Sequence, residues 1–260
     1  MKVRCIATKA INPPAGLEQA GWTDVHKLVT VGKEYEVYAI HSSWLCGGLW
    51  YMLLHDFDDV QYIPARYFEV TDSSKPAFWR VSPDDPHYEG PEELGPEHYE
   101  ALVDGDTETV SAFDRIRALM AEADRFEYIG RDDLDRLREE HPDDLYVFLD
   151  GNIQGELNLT ETIYRSMGNA YTERNWDGLR EALGTLGWIK DRTVRFVHFG
   201  LPVLDEADWR TYLSILLDAS KGWTEGLGRE YAEALHLDVH FCFLKSLRPD
   251  IEWTLYKMYP

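Results

Sequence analysis

The chain has 260 residues, of which 44% are hydrophobic and 13% aromatic, enough apolar surface for a packed core and too much for a largely disordered chain. Its formal net charge is −21, and residues 81–145 alone carry −15 of that total. A chain this acidic repels nucleic-acid phosphates and attracts basic proteins, so we expect a protein partner and no nucleic-acid partner.

The first residues lack the long apolar segment and small-residue cleavage site of a signal peptide. No window approaches the roughly 18 consecutive apolar residues of a membrane span. The sequence therefore predicts a cytoplasmic protein without membrane contact. Cys5, Cys46 and Cys242 form neither a C-x-x-C pair nor a zinc-ligand spacing, which predicts free buried thiols.

Residues 1–80 are predicted to form a small β-rich domain. Glu34–Ile40 alternates polar and apolar residues, as a half-buried strand does, and Trp50–Leu54 and Val60–Ile63 are the next strand candidates. Pro64–Val70 has the pattern of a helical turn followed by a closing strand. Short strands joined by tight turns resemble SH3-like barrels, so we expect a small β-barrel here.

Residues 81–143 are predicted to be an acidic linker with short helices. Four prolines, at positions 83, 86, 91 and 96, stand among acidic residues at its start. Residues 109–125 then carry apolar side chains at helical spacing, and Asp132–Glu140 has the composition of a short, charged helix.

Residues 144–260 alternate strand and helix patterns. Three apolar segments are predicted as strands: Leu145–Leu149, Thr193–Phe199 and Leu237–Leu244. Helices are expected to begin at the capping residues Thr160, Asn175 and Asp205. Ile251–Met258 is a candidate edge strand. The order β-α-α-β-α-β predicts an α/β domain with a three-stranded, mainly parallel sheet and packed helices.

The sequence has none of the common catalytic or cofactor-binding motifs. It lacks a G-x-S-x-G elbow, a P-loop, a G-x-G-x-x-G turn after a strand and an H-E-x-x-H helix. We therefore expect a protein that is not an enzyme and needs no cofactor. One alternative stays open: His55, Asp56, Asp58 and Asp59 in one turn could ligate a divalent cation and support a metal-dependent enzyme, although the same residues are ordinary turn formers.

The segment from Tyr171 to Leu183 carries the most information about function. Asn175 is placed to cap a helix, and Asp177 then lies in the first turn, where the helix dipole favours a carboxylate. With Trp176 and the leucines that follow it turned inward, Asp177 and Glu181 share another face one turn apart, and Arg180 lies beside both.

This segment resembles the signature of the barstar family, in which a Tyr and a polar turn precede Asn-hydrophobic-Asp-Ala/Gly-Leu. The surrounding order of strands and helices, with Asp150-Gly151 after the first strand, is similar too, over about residues 144–245. The resemblance implies a barstar-like fold that inhibits a barnase-like ribonuclease by filling its basic active site with carboxylates.

The resemblance also implies which residues meet the partner. Tyr171 and Asn175 resemble contact residues beside the helix, Asp177 and Glu181 the central acidic pair, and Asp218 a further acidic contact. Two positions depart from the best-known member: Glu181 replaces an Asp, and Arg180 replaces a Trp. The predicted partner-binding set is Tyr171, Asn175, Trp176, Asp177, Arg180, Glu181 and Asp218.

The sequence thus predicts an immunity protein that binds a basic ribonuclease toxin. A second alternative is an acidic interaction or regulatory module that uses the same helix on a partner other than a nuclease. The charge pattern fits either reading, because both require an acidic surface that attracts a basic protein.

Overall fold

The structure is a computed structural model, and it describes residues 1–10, 13, 15–42, 48–168, 173–186, 188–189 and 192–259. For residues 226–229 and 231 it describes the backbone alone. The chain divides into two compact units, Met1–Ala118 and Leu119–Pro260. The fold is mixed α/β, with an antiparallel sheet in the first unit and a parallel sheet in the second.

The first unit is built around the antiparallel sheet. Its strands are β1 (Lys2–Cys5), β2 (Glu34–His41), β3 (Trp50–Leu54), β4 (Val60–Pro64), β5 (Phe68–Asp72), β6 (Arg80–Val81) and β7 (Tyr88–Gly90). Its helices are α1 (Ala15–Gln19), α2 (Pro96–Val103) and the greater part of α3 (Thr107–Ala123). The predicted strands of residues 34–63 are confirmed to within one residue, and most of their side chains are buried on both faces of the sheet.

The predicted barrel is wrong: the antiparallel sheet is open. Its strand order is β4-β3-β2-β1-β5, and β4 does not pair with β5 among the described residues. Along the same edge, the first three residues of β2 pair with β1 and its last two pair with β7. A barrel closes only when its first and last strands share hydrogen bonds, and alternation within single strands does not specify that pairing.

The second unit contains a four-stranded sheet in which every pairing is parallel. Its strands are β8 (Glu127–Ile129), β9 (Leu145–Leu149), β10 (Arg192–His198) and β11 (Leu237–Leu244), in the order β8-β11-β10-β9. Its helices are α4 (Arg131–Glu140), α5 (Gly155–Ser166), α6 (Trp176–Thr185), α7 (Glu206–Thr224), α8 (Gly226–Leu235) and α9 (Arg248–Met258). The parallel sheet is confirmed, but it has four strands where three were predicted.

Residues 81–143, predicted as a linker, contribute strands to both sheets. Strands β6 and β7 extend the antiparallel sheet through β2, and β8 extends the parallel sheet through β11. Helix α4 begins within one residue of the predicted helix. Prolines and acidic residues therefore mark connections between these short elements rather than an unstructured segment.

Two predicted element types in the second unit are corrected. Ile251–Met258 is not an edge strand but most of α9, because Ile251 and Leu255 are buried one helical turn apart and Pro249 lies in the first turn, where proline is tolerated. Thr160 does not cap a helix. It is buried inside α5, where its hydroxyl donates to Leu157 O at 3.1 Å.

Different helices cover the two faces of the parallel sheet. Phe196 and His198 point to the face covered by α7, where His198 Nε2 lies 2.8 Å from Tyr212 OH. Val197, which lies between Phe196 and His198 in β10, points to the opposite face. There Val197 and Cys242 pack with Leu134 of α4. None of the helices in the described part of the chain is long and apolar enough to cross a membrane.

Candidate functional site

Helix α6 begins as its sequence predicts. Asn175 has an extended backbone (φ −140°), and its Oδ1 accepts a hydrogen bond from the Gly178 backbone N–H at 2.8 Å. A side chain at Gly178 would not fit, since its Cβ would lie 2.4 Å from Glu173 O. Asn and Gly three positions apart are thus both required by the way the chain enters this helix.

Trp176 fixes the start of α6 against two neighbouring helices. Its backbone N–H donates to Glu156 Oε1 of α5 at 2.6 Å, and its indole Nε1 donates to Asp208 Oδ1 of α7 at 2.9 Å. The half-buried ring lies 5.9 Å from the Tyr212 ring, centroid to centroid. These contacts make Trp176 a positioning residue for the residues that follow it.

The structure places Asp177 and Glu181 on the surface. Both are exposed, one turn apart, while Leu179 and Leu183 are fully buried on the other side of α6. The Asp177 carboxylate has no ion-pair or hydrogen-bond partner within the part of the chain that the structure describes. It is therefore a negative charge held in position by the helix start and open to another molecule.

Arg180 and Asp218 form an ion pair that joins α6 to α7. The two side chains are 46% and 55% exposed, so water screens the pair, and such pairs contribute roughly 0–1 kcal/mol. The third carboxylate of the predicted set is consequently neutralised by the chain's own arginine, although the pair opens at little energetic cost. Tyr171, the remaining predicted contact, lies outside the described residues.

His55, Asp56 and Asp59, three of the four candidate metal ligands in the first unit, accept hydrogen bonds within the chain. His55 is buried, and Asp56 accepts hydrogen bonds from three side chains: Lys33 Nζ at 2.6 Å, Thr30 Oγ1 at 2.7 Å and Tyr35 OH at 2.8 Å. Burial alone would raise the pKa of Asp56, but these hydrogen bonds outweigh it and hold that pKa below its ordinary value. Among the described residues, no three His, Cys, Asp or Glu side chains are arranged to hold a metal ion.

Two carboxylates that position the site were not expected from the sequence. Glu156 and Asp208 stand 20 and 32 positions from Trp176, and neither belongs to a recognisable motif. The one local signal was the acidic first turn of α5 and of α7, where Glu156 and Asp208 lie. That signal predicts a helix start, not a contact with another helix.

The fold and this surface together define a mixed α/β protein that presents a fixed, exposed carboxylate on a helix. No protein-family model, no curated protein and no solved structure matches the chain. The functional argument therefore depends on the residues and contacts of the chain itself.

Proposed function

We propose that this protein is a ribonuclease inhibitor of the barstar type, which blocks a basic nuclease by inserting the carboxylates of α6 into its active site. The observation that carries the proposal is Asp177, an exposed carboxylate without a partner among the described residues, on a helix start held by Asn175 and Trp176. We further propose that it acts in the cytoplasm as the immunity protein of a ribonuclease toxin.

The chemistry of RNA cleavage supports this choice of partner. A ribonuclease must bind phosphates, so its active site is lined with Lys and Arg. A carboxylate on a backbone that is already held by a capped helix loses less conformational entropy on binding than one on an unstructured segment. Glu181 gives a second carboxylate one turn from Asp177, and a basic cleft would relieve the repulsion between the two.

The overall arrangement is compatible with the barstar-like fold that the resemblance implies. The strand that ends at Leu149, the capped helix after Asn175 and the long helix after Asp205 occur in the expected order. Strand β8 and the antiparallel sheet are additions to that expectation. We propose that β8 extends the barstar-like sheet without changing the surface formed by α6 and α7.

The proposal is tested by RNA cleavage assays with a panel of barnase-like nucleases, including any nuclease encoded beside this gene. The full chain is expected to inhibit at least one of them. Asp177→Asn combined with Glu181→Gln is expected to abolish that inhibition while circular dichroism shows an unchanged fold, because both side chains are exposed.

A matched control uses α4. Asp135 and Glu139 are also exposed and one turn apart, so Asp135→Asn with Glu139→Gln removes the same charge at the same spacing. This variant is expected to inhibit like the natural protein. Inhibition of no nuclease in the panel, or equal loss in the two double variants, would refute a specific role for α6.

The ion pair between Arg180 and Asp218 favours a second candidate, an acidic interaction module whose partner is not a nuclease. With one carboxylate already paired, the surface is less acidic than a mimic of several phosphates would be. Affinity capture with the full chain and with the Asp177→Asn, Glu181→Gln variant separates the two candidates. A basic protein without nuclease activity, captured only by the natural chain, would support the module.

A further inference from the structure

A row of charged side chains crosses one face of the parallel sheet in the second unit. Arg195 of β10 donates through Nε to Asp144 Oδ2 at 2.7 Å, and its Nη1 lies 3.6 Å from Glu127 Oε2 of β8. His240 of β11 contacts Glu127 through Nδ1 and Asp238 Oδ2 through Nε2, the latter at 3.2 Å. Positive and negative groups alternate along this row.

His240 faces a carboxylate with each of its two ring nitrogens. The Nδ1 contact is a hydrogen bond and Asp238 acts on Nε2 as a nearby negative charge, so both carboxylates stabilise the ring most when it is protonated on both nitrogens. The ring is then a cation between Glu127 and Asp238. Its side chain is 24% exposed, which leaves it accessible to protons from solvent.

Strand β8 has a short backbone ladder, and its Tyr128 ring also lies 6.4 Å from the Phe243 ring of β11, centroid to centroid. The strand is three residues long, lies at the edge of the sheet and, among the described residues, pairs only with Cys242–Leu244 of β11. Glu127 is its first residue, and Glu127 Oε2 also accepts from Cys242 Sγ at 3.4 Å. Side-chain contacts at Glu127 therefore add substantially to a short backbone ladder.

We propose that Glu127 and His240 form a pH-sensitive latch that holds β8 on the edge of the sheet. With the histidine protonated, the latch is closed. Loss of that proton removes the positive charge between the two carboxylates and leaves Arg195 as the cation beside Glu127. The strand is then held less firmly, and the edge of β11 becomes available for pairing.

The direction of the pH effect follows from the contacts. The hydrogen bond to Glu127, opposed by burial and aided by the charges of Glu127 and Asp238, raises the pKa of His240 above its ordinary value of 6.5. The same hydrogen bond lowers the pKa of Glu127. A histidine whose pKa is raised by folding stabilises the folded state below its unfolded pKa, and this contribution is lost as the pH rises through the folded pKa.

The charged groups that surround His240 belong to three strands. They are Glu127 on β8, Asp238 and the Cys242 thiol on β11, and Arg195 on β10. Burial raises the pKa of the Cys242 thiol, so it stays neutral where the histidine titrates. Arginine also keeps its charge throughout this range. His240 is thus the group whose charge changes near neutral pH.

Hydrogen exchange of the full chain tests the latch. Protection factors of the β8 amides, relative to those of β10, are expected to fall several-fold between about pH 6 and about pH 8.5. In His240→Gln this fall should disappear. In His26→Gln, which removes an exposed histidine paired with Asp24 in the other unit, it should persist.

A titration of the histidine rings by NMR provides a second readout that does not depend on the His240 variant. His240 is expected to titrate above 6.5 in the natural protein and at lower pH in Glu127→Gln. Constant β8 protection across the pH range, an equal fall in His240→Gln, or the same His240 titration in Glu127→Gln would overturn the latch. None of these results depends on ribonuclease inhibition.

Discussion

His198 is a titratable residue whose acid–base chemistry is changed by burial in the folded protein. It is fully buried, its Nδ1 donates to Cys242 O at 3.2 Å, and its Nε2 accepts from Tyr212 OH at 2.8 Å. Both ring nitrogens are thereby satisfied in the neutral form. Burial lowers the pKa of His198 to about 4, because the charged ring would lose its hydration.

The lowered pKa of His198 predicts a specific loss of stability in acid. A histidine with a depressed folded pKa stabilises the folded state above its unfolded pKa and loses that contribution as the pH falls from 6.5 to about 4. The loss is on the order of 3 kcal/mol. Urea unfolding across this range should therefore show a steeper fall for the natural protein than for His198→Phe combined with Tyr212→Phe, which removes both partners of the hydrogen bond.

The difference between the two unfolding curves isolates His198, because the other groups that titrate in acid are common to both proteins and Tyr212 stays neutral there. Parallel curves for the natural protein and the double variant would contradict a neutral, buried His198. The double substitution avoids leaving the Tyr212 hydroxyl buried without an acceptor, which alone costs about 1–3 kcal/mol.

At the scale of residues, the sequence predicts contacts that are local in the chain. Asn175 and Asp205 were recognised as caps, and both accept the expected backbone hydrogen bond, from Gly178 and Asp208 respectively. The partners of the Trp176 indole and the charged row through Arg195 were not predicted. Those contacts join residues on different strands or helices, and residue type does not specify which elements become neighbours.

Helix α6 contains two glycines for which the structure predicts opposite effects. Gly178→Ala is expected to destabilise the protein by about 1–3 kcal/mol, because the new Cβ would overlap the backbone oxygen of Glu173. Gly184→Ala is expected to stabilise it by about 0.5–1 kcal/mol, because nothing lies within 4 Å and alanine is the better helix former. Each variant serves as the control for the other in thermal unfolding, and effects of equal sign would contradict the described entry into α6.

At the scale of elements, periodicity predicts most of the long segments. The strands Glu34–His41, Trp50–Leu54 and Leu237–Leu244 follow the predicted ranges closely, because a half-buried or fully buried strand needs these patterns. Strand β8 was missed, since three residues are too few to show a period. Helix α9 was taken for a strand because Ile251, Trp253 and Leu255 alternate with polar residues, as they would in a half-buried strand.

At the scale of the whole molecule, the sequence predicts the fold class better than it predicts which strands pair with one another. The alternation of strands and helices indicates the parallel sheet, whose crossover connections require helices between strands. It does not indicate whether the antiparallel sheet closes, because closure is decided by pairing between distant strands. The net charge of −21 belongs to this scale too, since it speeds encounter with any basic partner and loses that effect as salt is added.

The central claim is that the carboxylates of α6 occupy the site where a ribonuclease binds RNA phosphate. The most direct test measures the apparent dissociation constant of the protein for an inhibited nuclease while a single-stranded DNA oligonucleotide is added to occupy the substrate site. We predict that the apparent constant rises linearly with the oligonucleotide concentration, because the two ligands exclude each other. An apparent constant that does not change would contradict the account.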